Sequence, residues 1–345
     1  MGVEYKATVE LPGARSESSY GIECMTPDVT KLDRLVEAVE SQRLALDGLR
    51  RHLGIDDAVT AVAYVPGSLL TREPRREEVK QFNQDNTQSV AAFAVGVQKN
   101  LETVPIRESF EKLVFLPGLF EKYEVRADFS ETPFHEACGD WAGKTRQFWA
   151  RENFASRLLY MGALMNGMGY KVRFEDAFRP VGVQEGLFKR RVAWTKRDHP
   201  DWTDDQVINE AQCKTAVKPR LASHKAGAAI DAMIVNEATG RLLDFGHEYP
   251  DGGALVFPQT GFITERQWLN RQLFQVASGL SDTSLYVGED WHISYGDNLA
   301  SLDANGVVDP SYVAKYGPIK AYDHATGAIT EVYNGDELDN TFDFS

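Results

Sequence analysis

The chain has 345 residues, of which 43% are hydrophobic and 26% charged, and its formal net charge is −14. This composition is ordinary for a globular protein, and the length suggests about two domains. The negative charge argues against a polyanionic partner, so we expect binding to neither nucleic acid nor an acidic membrane surface. It also disfavours docking on an anionic cell wall.

Cysteine usage and the first residues favour a cytoplasmic location. Cys24, Cys138 and Cys213 show no close pairing, which is typical of free thiols in a reducing compartment. Residues 1–6 lack the charged and then apolar pattern of a secretory signal. No apolar run approaches the length that spans a bilayer. We therefore expect a protein of the cytoplasm with no membrane partner.

The strongest helical pattern lies near the start of the chain. Apolar residues recur at three- and four-residue steps over 27–53, which predicts one long amphipathic helix. Thr26 or Asp28 can cap its start, and Gly54 follows its end. The apolar stripe must pack on a partner, either within the chain or across a homodimer interface formed by the 27–53 helix.

Further along, helices alternate irregularly with strands, which predicts an α+β protein. The predicted elements after residue 54 are a strand over 59–65, a helix over 76–100, a helix over 147–169, a strand over 171–175, a helical stretch over 184–209 broken at Pro200, a strand over 228–235 paired with 241–245, a helix over 264–278 and a strand over 284–295. We place a domain boundary near residue 130. Residues 1–130 would then form a mainly helical domain that dimerises the protein or covers a cleft, and residues 131–345 a second domain.

Two short clusters in the second part offer two imidazoles and two carboxylates. The first cluster runs from Ser223 through His224 to Asp231, and the second runs from Glu289 to His292. A hydrolytic zinc ion takes three ligands of these kinds and leaves a fourth position for water, while a nearby carboxylate serves as general base. We therefore predict that His224, Asp231 and His292 bind Zn²⁺ and that Glu289 is the base.

The sequence context supports these site residues to different degrees. Asp231 interrupts an otherwise apolar strand, where a buried carboxylate needs a metal, hydrogen-bond donors or a salt bridge to an arginine. His224 taken alone would be a solvated loop histidine. Glu289 and His292 are three residues apart in a predicted strand, where they would point oppositely, so a bulge, bend or strand end is required. Gly227 permits a positive φ between the loop and the strand.

A third segment, Asp-Ala-Phe-Arg-Pro at 176–180, precedes both clusters. With the His-x6-Asp spacing and the Glu-x-x-His spacing that has Trp291 before its histidine, it resembles the zinc D-alanyl-D-alanine dipeptidases and carboxypeptidases. That group also contains lysostaphin-type enzymes and the hedgehog signalling domain. The resemblance covers roughly residues 148–295, less than half of the chain.

The resemblance implies an antiparallel-sheet metallopeptidase domain, with the N-terminal helical domain as an addition. It implies a short peptide substrate, most simply D-Ala-D-Ala, and Arg179 as the group that stabilises the developing oxyanion. From the residues alone, Arg179 could equally form a structural ion pair with Glu175 or Asp176.

Two departures from the family concern substrate selection. Family members generally have serine two residues before the first histidine, where this chain has Ala222, so Ser223 is the candidate substrate contact. The aspartate that holds the substrate ammonium in the dipeptidases is one residue out of register, which leaves Asp251 or Glu248 for that role. His247, in the same stretch, is a spare ligand, a residue supporting the ligands or a surface loop residue.

Three functions remain open from the sequence. The first is zinc-dependent hydrolysis of D-Ala-D-Ala or a related D-amino-acid dipeptide. The second is a peptidoglycan-cleaving carboxypeptidase or amidopeptidase of the endolysin type. The third is a non-catalytic zinc-binding interaction module on the same fold, against which Glu289 and Arg179 both argue because a pure binder needs neither.

Overall fold

A computed structural model describes residues 6–7, 20–55, 64–212, 214–250 and 253–340. The α-helices of these ranges are α1 (Val29–Ala45), α2 (Asp47–His52), α3 (Arg76–Leu101), α4 (Leu116–Lys122), α5 (Glu152–Gly167), α6 (Val183–Asp198), α7 (Asp204–Gln212) and α8 (Glu265–Leu280). Their combination with one larger sheet confirms the α+β class.

The strands are short apart from two near the middle of the chain. They are β1 (Lys6–Ala7), β2 (Cys24–Met25), β3 (Tyr64–Val65), β4 (Leu69–Leu70), β5 (Leu113–Phe115), β6 (Ala127–Phe129), β7 (Trp149–Arg151), β8 (Tyr170–Asp176), β9 (Ala229–Asn236), β10 (Arg241–Leu242), β11 (Ser284–Leu285), β12 (His292–Ser294), β13 (Ile319–Tyr322) and β14 (Ile329–Val332). Six of them form the main sheet in the order β11-β12-β9-β8-β6, with β10 also paired to β9.

The main sheet is mixed, whereas the family resemblance implied an antiparallel one. The pairings of β9 with β8, β10 and β12, and of β11 with β12, are antiparallel, but β6 runs parallel to β8. A parallel neighbour requires a crossover connection, and the chain between β6 and β8 supplies one through β7 and α5.

Strand β9 lies at the centre of the sheet and of the core. Ile230, Ala232 and Ile234 are fully buried, and so are residues of β9 that point to the opposite face, such as Met233. A strand buried on both faces has a nearly continuous apolar sequence, as β9 does apart from Asp231. Helices α5 and α8 supply most of the cover, with Trp268 of α8 wholly inside the core.

The prediction of one continuous helix over 27–53 is wrong, because α1 and α2 are separated at Leu46. The start of α1 is at Asp28, whose side chain accepts a hydrogen bond from the Thr30 amide at 3.1 Å and so caps the helix. Gly54 follows the end of α2 with a φ of 67°, as expected for a terminating glycine. Leu46 and Leu53 both still pack against the main core.

The apolar stripe of α1 packs within the chain. Leu32, Val36 and Val39 are buried in the same core cluster as the main sheet, through contacts of α1 with α8 and α5. A dimer through this helix would therefore have to use its other face. The division into two domains at residue 130 stays a prediction. Strand β6 (Ala127–Phe129), from before that boundary, belongs to the main sheet, and residues from both sides of the boundary share one hydrophobic core.

Several other predictions can be followed directly. The helix predicted over 76–100 is α3, and the break predicted at Pro200 separates α6 from α7. The hairpin between 228–235 and 241–245 is the β9–β10 pair. Of the strand predicted over 59–65, only β3 lies among the described residues. Cys24 and Cys138 are free thiols, while Cys213 lies outside the described residues.

None of the helices that the structure describes is both long and apolar enough to cross a membrane.

Candidate metal centre

Sheet register brings two of the predicted ligands together. Strands β12 and β9 pair so that His292 lies opposite Asp231, and β8 places Asp176 opposite Asp231 on the other side. The β8–β9 register shifts between Phe174 and Asp176, as in a β-bulge, which re-aims a side chain at the end of a strand. His292 and Asp176 are 61 and 55 positions away from Asp231 in the sequence, and the sheet makes them its direct neighbours.

The third predicted ligand comes from the turn before β9. His224 lies in a short 3₁₀ turn, Ser223–Ala226, which ends at Gly227 with a φ of 67°. A side chain there would be strained, and its Cβ would lie 2.6 Å from a Leu113 methyl carbon. The predicted positive φ is confirmed, and it directs the chain from the turn into β9 with the His224 ring over Asp231.

The three side chains form one compact group. Asp231 Oδ1 lies 3.3 Å from His224 Nε2 and 3.1 Å from His292 Nδ1, and one ligand atom from each residue lies within 4.8 Å of the others. All three residues are buried. Two imidazoles and one carboxylate converging in this way could hold a metal ion, and such a donor set suits zinc and other first-row divalent metals.

The group opens into a cleft of about 530 Å³, which we call the cleft throughout. It is lined by the triad, by Glu289 and Arg179, and by parts of α3, α6, the 212–223 segment and the β11–β12 loop. A volume of this size accommodates a small ligand. The triad is therefore buried in protein on one side and accessible through the cleft on the other.

His224 is fixed in orientation by the backbone. Its Nδ1 lies 2.7 Å from the carbonyl oxygen of Ala177. A carbonyl oxygen can only accept, so Nδ1 carries a proton. Nε2 faces Asp231 Oδ1 and donates to it in the metal-free site, whereas a bound metal ion would take its lone pair instead. Hydrogen bonding of the distal ring nitrogen is the usual support for a metal-binding histidine.

His292 presents the opposite ring nitrogen. Its Nε2 lies 3.3 Å from Ser294 Oγ, and that hydroxyl donates to Asp297 Oδ2 at 3.1 Å. Since the serine proton is used towards Asp297, Nε2 of His292 donates to Ser294. Nδ1 faces Asp231 Oδ1 at 3.1 Å and donates to it in the metal-free site, whereas a bound metal ion would take its lone pair instead. Burial raises the pKa of Asp297. The hydrogen bonds that Asp297 accepts from Ser294 and the Ala300 amide partly oppose this rise.

Asp231 carries a strongly perturbed charge. Burial alone would raise its pKa, but the charge and hydrogen bonds of His224 and His292 outweigh burial and hold the pKa well below its usual value. Its second oxygen, Oδ2, accepts a hydrogen bond from the Tyr249 hydroxyl at 3.0 Å. Burial, reinforced by Asp231 and Asp176, raises the pKa of Tyr249 well above its normal value, so this hydroxyl stays a donor.

Glu289 reaches the triad from a loop, and the continuous strand predicted over 284–295 is wrong. The segment is a hairpin of β11 and β12, whose loop contains Glu289 and ends at His292. The Tyr286 amide donates to the His292 carbonyl at 2.9 Å and closes the loop. The strand end required by the sequence argument is thus present, and Glu289 Oε2 lies 3.8 Å from His292 Nδ1.

The carboxyl of Glu289 is set for proton transfer near neutral pH. Burial raises its pKa to about 7, with Asp231 adding to the shift and His292 and Arg179 opposing it. The side chain is 31% exposed and lines the cleft, so water in the cleft reduces the effect of burial on this pKa. A divalent cation in the triad would favour the ionised carboxylate, which is the form a base requires.

Arg179 lines the cleft and is held by two partners. Its Nε and Nη2 lie 3.1 Å from Asp176 Oδ2, and Nη1 donates to Gln184 Oε1 at 3.0 Å. Arg146 also pairs with Asp176, at 2.9 Å. The ion pair between Arg179 and Asp176 that the sequence offered as an alternative role is therefore present. It leaves Arg179 Nη2 3.9 Å from Asp231 Oδ2, close enough to serve the site as well.

The remaining predicted site residues differ in whether they lie at the cleft. Ser223 is buried and lines the cleft, as a substrate contact must. Glu248 is exposed and is not among the cleft-lining residues described by the structure. Asp251 lies outside the described residues. Trp291 is buried, with its ring packed against those of His247 and Tyr249, as expected for a packing residue.

His247 is neither a spare ligand nor a surface loop residue. Its side chain is 3% exposed, and Nε2 lies 2.8 Å from Asp290 Oδ1. Asp290 is also paired with Arg271 of α8 at 3.0 Å, and Arg271 donates to the carbonyls of Phe245, Leu255 and Phe257. This group of three buried residues, His247, Asp290 and Arg271, anchors the loop that carries Glu289.

Comparison with known proteins adds no family to this geometry. No protein-family model matches the chain, and no curated protein sequence is significantly similar to it. The resemblance to the D-Ala-D-Ala peptidases therefore stays a prediction from the motif residues.

Proposed function

We propose that the protein is a zinc-dependent peptidase that hydrolyses D-Ala-D-Ala or a closely related short peptide of D-amino acids. The observation that carries the proposal is the convergence of His224, Asp231 and His292 with Glu289 directly beside them and the cleft in front. Zinc held by such a triad supplies a Lewis acid that polarises water and the peptide carbonyl.

The residues divide the remaining work. Glu289, 3.8 Å from His292 and open to the cleft, would take a proton from the attacking water and pass it to the leaving amine. Arg179, held by Asp176 and Gln184, would donate hydrogen bonds to the carbonyl oxygen as negative charge develops there. Ser223 at the edge of the triad would contact the substrate backbone.

The two alternative functions, a non-catalytic zinc module and a peptidoglycan-cleaving enzyme, are supported less well. A non-catalytic zinc module has no need of a carboxyl whose pKa is raised to about 7 at the mouth of the triad. A peptidoglycan-cleaving enzyme would share this chemistry and differ only in substrate size. The net charge of −14 disfavours approach to an anionic wall, so the short peptide is preferred.

Release of free D-alanine from D-Ala-D-Ala tests the proposal. Zinc-loaded protein should release it, and Glu289→Gln should lower kcat by about 10²- to 10⁴-fold because the base is lost while size and polarity are kept. Zinc content measured by atomic absorption should be unchanged in that variant. Glu331→Gln, at an exposed site on β14, is the matched control and should behave as wild type.

Three results would contradict the proposal. They are absence of stoichiometric zinc, full activity in Glu289→Gln, and activity that survives removal of zinc by a chelator. Release of peptides from purified cell wall with no activity on the dipeptide would transfer the proposal to the endolysin-type alternative.

A further inference from the structure

One face of α6 is turned to the cleft and carries uncommitted positive charge. Its cleft-lining residues recur at helical spacing over nearly three turns; they are Gln184, Leu187, Arg190, Arg191 and Trp194. The first of these is already bound to Arg179. The two arginines further along line the same cleft as the triad, and neither has a role described so far.

Neither arginine forms a salt bridge within 4.0 Å of a carboxylate in the described part of the chain. Glu210 and Glu289 attract Arg191, and Glu136 attracts Arg190, only from a longer distance. The Nε of Arg190 is buried without a hydrogen-bond partner among the described residues. Burial lowers the pKa of both guanidiniums, yet arginine remains charged at neutral pH. A part-buried cation without an anion is costly, so an anion brought by a ligand would be favoured.

An aromatic side chain holds the pair in place. The guanidinium of Arg190 lies 3.8 Å from the ring centroid of Trp194, and that of Arg191 lies 5.5 Å from it. Stacking of this kind fixes the plane of a guanidinium while leaving its N–H groups free to bind an anion. Arg191 and Glu289 also line the same cleft, so a ligand bound there can contact both.

The cleft inverts the charge of the molecule. The chain carries a net charge of −14, yet the cleft is lined by five cationic side chains against three carboxylates. Those eight residues are Arg146, Arg179, Arg190, Arg191, Lys214, Asp176, Asp231 and Glu289. A concave surface whose charges sum to a positive value concentrates anionic ligands, and a metal ion would add to that positive charge.

We propose that Arg190 and Arg191 form an anion subsite that binds a carboxylate of the peptide substrate. The substrate class is thereby narrowed to peptides with a free or side-chain carboxylate near the scissile bond. The choice of probe rests on the proposed peptidase function, but the subsite itself is tested by binding, which needs neither zinc nor turnover.

The test is calorimetric titration of the full chain, with chelator present to prevent hydrolysis. The two probes are N-acetyl-D-Ala-D-Ala, which has one carboxylate and no amine, and its C-terminal amide. Wild type should prefer the carboxylate probe by about tenfold or more, as a charge-assisted hydrogen bond provides. Arg190→Gln/Arg191→Gln should bind both probes alike, and the charge-keeping double lysine variant should retain part of the preference.

Arg197→Gln is the matched control. Arg197 lies on the same helix but is 69% exposed, pairs with Asp198 and is outside the cleft lining, so its loss should leave the preference unchanged. Circular dichroism of each variant checks that the total helical content of the protein is kept.

Each outcome has a distinct meaning. An intact preference in a folded Arg190→Gln/Arg191→Gln protein overturns the subsite, and so does a wild type without preference. Tighter binding of inorganic phosphate than of the peptide, lost in the same variant, overturns the assignment to a carboxylate. If D-alanine is not released but wild type still prefers the carboxylate probe, the peptidase function is rejected and the anion subsite is retained. If release depends on Glu289 but wild type shows no preference for the carboxylate probe, the subsite is rejected and the peptidase function is retained.

Discussion

The two candidate ligand histidines offer different ring nitrogens to the site because their other nitrogens are held differently. His224 is oriented by the backbone carbonyl of Ala177, while His292 is oriented through Ser294 and Asp297. The first support cannot be removed by a side-chain substitution, but the second can. Residues that touch only the ligands therefore contribute to metal affinity by fixing the orientation of the ligands.

Tyr249 is the clearest such residue to test. Its hydroxyl donates to Asp231 Oδ2 at 3.0 Å, whereas Nη2 of Arg179 lies 3.9 Å from the same oxygen. Tyr249→Phe should weaken zinc binding about 10- to 100-fold, measured by competition with a chromophoric chelator. Tyr123→Phe, at the end of α4, is the control. Equal affinity in Tyr249→Phe and wild type would show that this hydrogen bond does not support the carboxylate.

Some of these residues could be predicted from the sequence and others could not. Asp231 was predictable because a carboxylate inside an apolar strand needs a partner. Tyr249, Arg146 and the Arg190–Arg191 pair had no local signal, because their positions depend on which loops and helices meet across the sheet. A guanidinium on a charged helix is normally solvated, and only the cleft distinguishes these two from their neighbours.

At the level of elements, the β11–β12 hairpin determines where the proposed base lies. The residues on both sides of its loop favour strand, so periodicity alone extends one strand through it. The loop is shaped by contacts that are remote in sequence, above all Asp290 with His247 and Arg271. The same reasoning explains why α1 was predicted too long, since its apolar pattern continues across the break at Leu46.

Removing Arg271 should therefore loosen the hairpin loop and destabilise the fold. Arg271 is fully buried and binds Asp290 as well as three backbone carbonyls. Arg271→Gln should lower the free energy of unfolding by about 3 kcal/mol, because a buried charge and several acceptors lose their partner. Urea denaturation followed by tryptophan fluorescence measures this.

Arg266→Gln provides the comparison for that experiment. Arg266 lies one turn earlier on α8 and is exposed, so its replacement should change the free energy of unfolding by less than about 0.5 kcal/mol. Equal stabilities of the two variants would mean that the buried ion pair with Asp290 contributes nothing net.

At the level of the whole molecule, the candidate metal centre connects parts of the chain that are far apart in sequence. It joins the turn before β9, the central strand itself and the hairpin that follows α8, all within the core shared with α1. An ion bound there would hold the native arrangement and bind the unfolded chain poorly. Metal binding and global stability should for that reason be coupled.

Zinc should accordingly raise the melting temperature of the full chain by several degrees relative to protein in chelator. At a free zinc concentration 100 times the Kd, the expected gain is about 2.7 kcal/mol. Scanning fluorimetry measures the shift, and magnesium at the same concentration should give little because imidazole ligands disfavour it. Asp231→Asn should abolish the zinc shift, while Asp205→Asn, at an exposed position on α7, should keep it. A zinc shift of equal size in both variants would place the bound metal somewhere other than the triad.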